Sequence, residues 1–125
     1  MNAYNPAVLL IPQDNLPSID PLRYLLKLAG SHRRKLWMVS PGGESEETIV
    51  SVIKHAIAMG EWVYVVNIHL ASPALMRMIL QLAFVEDKKM PEFKMWIGLS
   101  IATSNPPVSL IAVCILSFVA YFIYN

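Results

Sequence analysis

A chain of 125 residues has room for one domain, and it is small for a doubly wound sheet, so a piece of something larger fits its length. Lysine and arginine number 10 against 9 acids, a net charge of +1, and that balance gives no electrostatic case for nucleic acid as a partner. Cys114 is the single cysteine, which excludes an internal disulfide and a cysteine cluster for zinc, and makes a reducing compartment the expectation.

The first element in chain order is the apolar run Ala7–Ile11, AVLLI, set between Pro6 and Pro12. It reads as a buried strand. No basic leader precedes it, and AVLL is too short for the core of a signal peptide. The loop 13–19 follows. Asp20-Pro21 then starts a helix, with Asp20 as the cap and Pro21 in the first helical position. Leu22, Leu25, Leu26 and Ala29 recur at the spacing of one helical face, and Gly30 offers a stop. Ser31–Lys35, SHRRK, reads as a solvated basic turn.

Leu36–Val39, LWMV, predicts the second strand, and Ser40–Gly43, SPGG, a turn. Glu44, Glu46 and Glu47 then put negative charge where a helix begins, matching its dipole. Ile49, Val52, Ile53, Ala56 and Ile57 repeat at helical spacing up to Gly60. Trp62–Asn67, WVYVVN, is almost wholly apolar and rich in β-branched and aromatic residues, the composition of a strand buried on both faces of a parallel sheet. It ends in the polar residues Asn67 and His69. Ser72-Pro73 opens a third helix, with Leu75, Ile79, Leu82 and Ala83 on one face and Met76 and Met78 broadening it. The methionines read as core filler. Glu86–Pro91 is a polar connection, Phe93–Leu99 a fourth strand, and Thr103–Pro107 a break. Strand and helix alternate three times before the last strand. That order predicts an α/β domain with a parallel sheet, right-handed crossovers and functional groups at the carboxyl edge.

The candidate sites point away from catalysis. A nucleotide hydrolase of this architecture needs GxxxxGK[ST] after its first strand, and the loop here, PQDNLPSID, has neither glycine nor lysine. SPGGESEET has two glycines but no lysine, and its glutamates occupy the helix start that a phosphate would need. Magnesium-dependent hydrolases also place an acid at the end of a strand like WVYVVN. Asn67 stands there instead, uncharged and unable to act as a base. It reads as a strand-end residue bonding to nearby backbone.

His69 has no acidic partner near it in sequence and no serine or cysteine in a nucleophile elbow. His32 and His55 read as surface or helix-end residues. Glu86 and Asp87 lie beside lysines in a solvated loop. No catalytic, cofactor-binding or metal-binding residue is therefore assigned, and no cofactor is expected.

The stretch RRKLWMVSPGGESEETIVSVIKHAIAMGEWVYVVNIHLAS, Arg33 to Ser72, resembles the sixth AAA module of dynein heavy chains. That family has a KLW-type strand, a Gly-rich turn, a helix and a GGWVLLQNCHLA-like strand. Gly60, Trp62, Val63, Asn67, His69, Leu70 and Ala71 match the pattern. MPEFKMWI looks like the family's HPDFRLWL, with Pro91, Phe93 and Trp96 in step. PVSL at Pro107–Leu110 is similar to the segment after the family's fourth strand, and AVLLIP with DPLRYLLKLA fits the module's first strand and helix. The resemblance covers roughly Asn5 to Leu110.

What the resemblance implies is a three-layer, P-loop-like AAA fold over residues 1–110, incomplete at its C-terminus, and a scaffold role. Dynein heavy chains are ATP-driven, minus-end-directed microtubule motors. Their ring holds six AAA modules, the main ATPase being the first and the sixth lacking working nucleotide machinery. The implied partners are other modules of a dynein heavy-chain-like motor, with intermediate or light chains through the parent complex. The implied setting is the cytoplasmic cytoskeleton, including the cilium or axoneme. For this chain alone, no enzyme activity is expected.

Three departures stand out. SPGG replaces a longer SLGQGQG-like turn, and GLSIATSNPP differs from a proline-spaced TSxPSPxFP. Beyond Leu110 the family continues as a polar strand, whereas residues 111–125 run as a hydrophobic tail. A truncated or alternatively terminated product of a divergent dynein heavy-chain-like gene is the expectation. Pro107–Tyr124 carries no charge but barely reaches the roughly 20 apolar residues of a membrane-spanning helix. Tyr121 and Tyr124 fit an interfacial belt, yet no lysine or arginine follows Lys94 to orient it. A buried strand or an exposed sticky end is the favoured reading of the tail. For the chain as a whole, the alternatives are a small membrane tail-anchored α/β protein or an independent nucleotide-binding module.

Overall fold

The structure is a computed structural model that describes residues 8–12, 20–85 and 90–99. The loop carrying Glu86 and Asp87, the break at Thr103–Pro107 and the tail 111–125 lie outside the described residues. The elements alternate along the chain: β1 (Val8–Pro12), α1 (Pro21–Ser31), β2 (Leu36–Val39), α2 (Glu46–Met59), β3 (Trp62–Val65), a short 3-10 turn at Ile68–Leu70, α3 (Pro73–Val85) and β4 (Lys94–Leu99).

The four strands form one sheet in the order β1-β4-β3-β2, and every pairing is parallel. β3 is thus interior. Val63 lies between Trp37 of β2 and Met95 of β4, and Val65 between Val39 and Ile97. All four β3 residues are buried, as a strand covered on both faces requires.

Alternation along the strands sorts side chains into two layers. Val39, Val63, Val65, Met95 and Ile97 face α2 and α3, where they pack with Ile49, Ile53, Ile79 and Ala83. Tyr64 faces the other way, with Ile11 and Leu25 of α1, and Leu22, Leu36 and Trp96 pack around them. The result is three layers: α1, the sheet, then α2 with α3. This is the expected P-loop-like α/β architecture. Each fully buried aliphatic side chain contributes about 1.5–3 kcal/mol by leaving water.

Local chemistry sets the helix ends. The Leu22 N–H donates to Asp20 Oδ1 at 3.2 Å, and Pro21 takes the first turn, where no N–H is needed. Ser45 Oγ accepts from the Thr48 N–H at 3.1 Å, and Glu46 and Glu47 follow in the first turn of α2. Gly60 closes α2 in the left-handed conformation at φ 70, where a side chain would be strained. Ser72 Oγ accepts from the Leu75 N–H at 3.0 Å and starts α3.

The structure corrects several boundaries. Helix α1 runs through Gly30 to Ser31, and the left-handed residue that turns the chain is Arg33, at φ 56. Leu26 is exposed by 54 % while Leu25 is fully buried, because α1 lays only a narrow Leu22–Leu25–Ala29 stripe on the sheet. Met78 is likewise 44 % exposed and not core filler. β3 ends at Val65, two residues short of Asn67, because Asn67 enters the left-handed region at φ 55 and starts the 3-10 turn. Phe93 precedes β4. Its N–H closes a turn onto the Met90 carbonyl at 3.0 Å, and its ring is buried in the α2–α3 core.

Candidate functional site at the carboxyl edge

The carboxyl ends of β2 and β3 lie side by side, and three segments meet there: the turn after β2, the first turn of α2, and the link between β3 and α3. Asn67 Nδ2 donates to Ser40 Oγ at 3.0 Å. The Ser40 N–H donates to Glu44 Oε2 at 2.7 Å, so the turn after β2 is closed by its own carboxylate. Gly42 sits at φ 91 against Leu70; a Cβ there would lie 2.9 Å from Leu70 Cδ1. The Ser72 hydroxyl donates to Glu46 Oε2 at 3.0 Å, which links the starts of α2 and α3.

Asn67 and Ser40 are therefore brought together, as are Glu46 and Ser72. Glu44, Glu46 and Glu47 all lie at or just before the α2 N-terminus, and among the described residues no basic side chain forms a salt bridge with them. Negative charge favours this helix end, and a phosphate would have to displace it. His69 is exposed, with no hydrogen bond or ion pair among the described residues.

The other two histidines sit at the opposite, amino edge. A ring nitrogen of His32 lies 2.9 Å from the Leu28 carbonyl, and the ring stands 5.4 Å from that of Trp62. His55 Nε2 is 3.3 Å from Glu61 Oε1, and the same oxygen accepts from Trp37 Nε1 at 2.8 Å. Lys35 Nζ lies 3.9 Å over the Trp37 ring, a cation–π contact. The basic turn is thus not wholly solvated: Lys35 is drawn onto β2, and His55 is a helix-end residue held by an acid. Sequence order hid this cluster, because its members are brought side by side only by the pairing of β2 with β3.

Among the described residues, two titrating groups are shifted by the fold. Burial, helped by the charge of Asp20, raises the Tyr64 phenol above its ordinary 10.0. Burial also lowers the Lys94 ammonium below its ordinary 10.5. Among the described residues no group of three or more histidines, cysteines or acids is placed to hold a metal ion. None of their helices is long and apolar enough to cross a membrane.

A parallel sheet with one helix on one face, two on the other, and a polar rim at the carboxyl ends of β2 and β3 is a P-loop-like α/β architecture. A family model described as the dynein heavy chain region D6 P-loop domain matches residues 5–117, and the chain belongs to that family. The match covers the Arg33–Ser72 stretch and the PEFKMW segment, and extends past Leu110. No curated protein matches the chain.

Proposed function

We propose that the chain is a scaffold part of a dynein-type microtubule motor ring that neither binds nor hydrolyses nucleotide itself. The observation that carries this reading is the Asn67–Ser40 bond. At the strand end where a magnesium-dependent hydrolase needs a carboxylate, this chain has a carboxamide, and it bonds to Ser40 just past the end of β2. The loop after β1 has no lysine to meet a phosphate, and Glu46 and Glu47 oppose an anion at the α2 N-terminus. Family membership supplies the context: parts of a dynein heavy chain assemble with other parts of the same motor.

On this reading the partners are neighbouring modules of a dynein heavy-chain-like motor, with intermediate or light chains reached through the whole complex. The setting is the cytoplasmic cytoskeleton or the axoneme. A chimaera tests it. Residues 5–117 replace the corresponding module of a dynein heavy chain, and the product is imaged and assayed for microtubule-stimulated ATPase activity. A closed ring that retains the first module's activity is expected; a ring that fails to close overturns the scaffold role.

A further inference from the structure

We propose that β2 is a pairing edge through which two copies of this chain join antiparallel, about a two-fold axis at Trp37. Among the described strands β2 closes one side of the sheet and pairs only with β3. The Trp62 N–H donates to the Lys35 carbonyl at 2.9 Å, and the Val66 N–H donates to the Val39 carbonyl at 3.0 Å. Backbone groups alternate in direction along a strand, so the N–H and C=O of Leu36 and Met38 point away from β3. Among the described residues no hydrogen bond reaches these outward groups. Met38 also leaves 50 % of its surface in solvent.

The edge is complementary to itself. With the axis at Trp37, Leu36 of each copy lies opposite Met38 of the other, and every outward group of both strands gains a partner. Met38 shares the α1 face of the sheet with its register neighbour Tyr64, so its exposed side chain meets Leu36 of the second copy. An axis shifted to Met38 would call on the Ser40 N–H, which Glu44 Oε2 already holds at 2.7 Å. Charge sets the antiparallel sense. Arg33, Arg34 and Lys35 precede the strand, and Glu44 follows it. Among the described residues Arg34 and Glu44 form no salt bridge within the chain. In the antiparallel pair Arg34 comes opposite Ser40 of the second copy, where the Glu44 carboxylate is held. A parallel alignment of two copies would set like charge against like at both ends. This inference does not rest on the scaffold reading: that reading falls on ring assembly, this one on self-association.

The experiment uses the full 125-residue chain. A short edge makes a weak interface, so sedimentation equilibrium from about 10 µM to 1 mM should show a monomer–dimer transition near 100 µM. Salt at about 1 M should weaken it several-fold. Amide hydrogen exchange reads the edge directly and needs no variant. The Leu36 and Met38 amides should exchange several-fold more slowly at the high concentration than at the low one, while the inward Trp37 and Val39 amides stay unchanged. Met38→Pro removes an outward N–H and no bond to β3, and Arg34→Glu sets like charge against Glu44. Each should weaken dimerisation about tenfold or more, with folding checked by circular dichroism. Arg77→Glu makes the same charge change at an exposed position on α3 and should associate like the parent. A chain that stays monomeric throughout overturns the proposal. So do Leu36 and Met38 amides equally protected at both concentrations, which would mean that the chain covers its own edge. A dimer that leaves these amides unchanged, or that both variants form as readily as the parent, overturns it as well.

Discussion

The Asn67 carboxamide donates to the Ser40 hydroxyl across 3.0 Å and so ties the carboxyl end of β3 to that of β2. Asn67 does this from φ 55, a conformation that asparagine and aspartate tolerate better than other side chains. Asn67→Ala loses the bond and strains the backbone, and should cost about 1–3 kcal/mol. Asn67→Asp should cost less, because the Ser40 hydroxyl can turn and donate to the carboxylate. Urea denaturation midpoints of the three proteins check this order. An alanine variant as stable as the parent would show that the link does not hold the edge.

Val65 is fully buried at the centre of the sheet, whereas Leu26 is 54 % exposed on α1. Val65→Asp strands a carboxylate between β2 and β4 at a cost of several kcal/mol, and the chain should not fold. Leu26→Asp should be tolerated within about 0.5 kcal/mol. Circular dichroism melts decide. Equal melting of the two variants would contradict both the interior position of β3 and the narrow stripe of α1.

Gly42 takes φ 91 and lies against Leu70. Gly42→Ala should destabilise by about 1–3 kcal/mol, partly through backbone strain and partly through the contact with Leu70 Cδ1. Leu70→Ala in the same chain removes the contact and leaves the strain. The double variant should therefore recover part of the loss and not all of it. Full recovery would mean that the backbone at Gly42 is unstrained.

Tyr64 keeps its proton in the folded chain to a higher pH than in the unfolded chain, where the value is 10.0. A raised pKa of this kind adds stability that is fully present below pH 10.0 and is lost as pH rises through the folded value. Thermal melts from pH 8 upward should show the parent losing stability more steeply than Tyr64→Phe above about pH 10. Identical alkaline profiles would place the phenol in solvent.

Features set by neighbouring residues were legible in the sequence. Asp20-Pro21, Ser72-Pro73 and Gly60 act through bonds a few residues long, and each stands at the helix end it signals. The unbroken apolar run of β3 announced an interior strand because both of its faces are covered. What depends on distant pairing was not legible. Asn67 meets Ser40 across 27 positions, Ser72 meets Glu46 across 26, and Trp37 meets Glu61 across 24. Helical periodicity placed Leu26 and Met78 on the apolar sides of their helices, yet it cannot say how wide a stripe the sheet will cover. The absence of lysine after β1 was plain from the letters, whereas the engagement of Asn67 with Ser40 needed the fold.

The scaffold role proposed above requires that this P-loop-like domain bind no nucleotide. Isothermal titration of the full chain with magnesium-ATP tests it most directly. The account predicts no heat of binding at micromolar concentrations, and no gain in melting temperature when nucleotide is in excess. A saturable isotherm in that range, abolished by Asn67→Ala, would contradict it and place a working nucleotide site at the carboxyl edge.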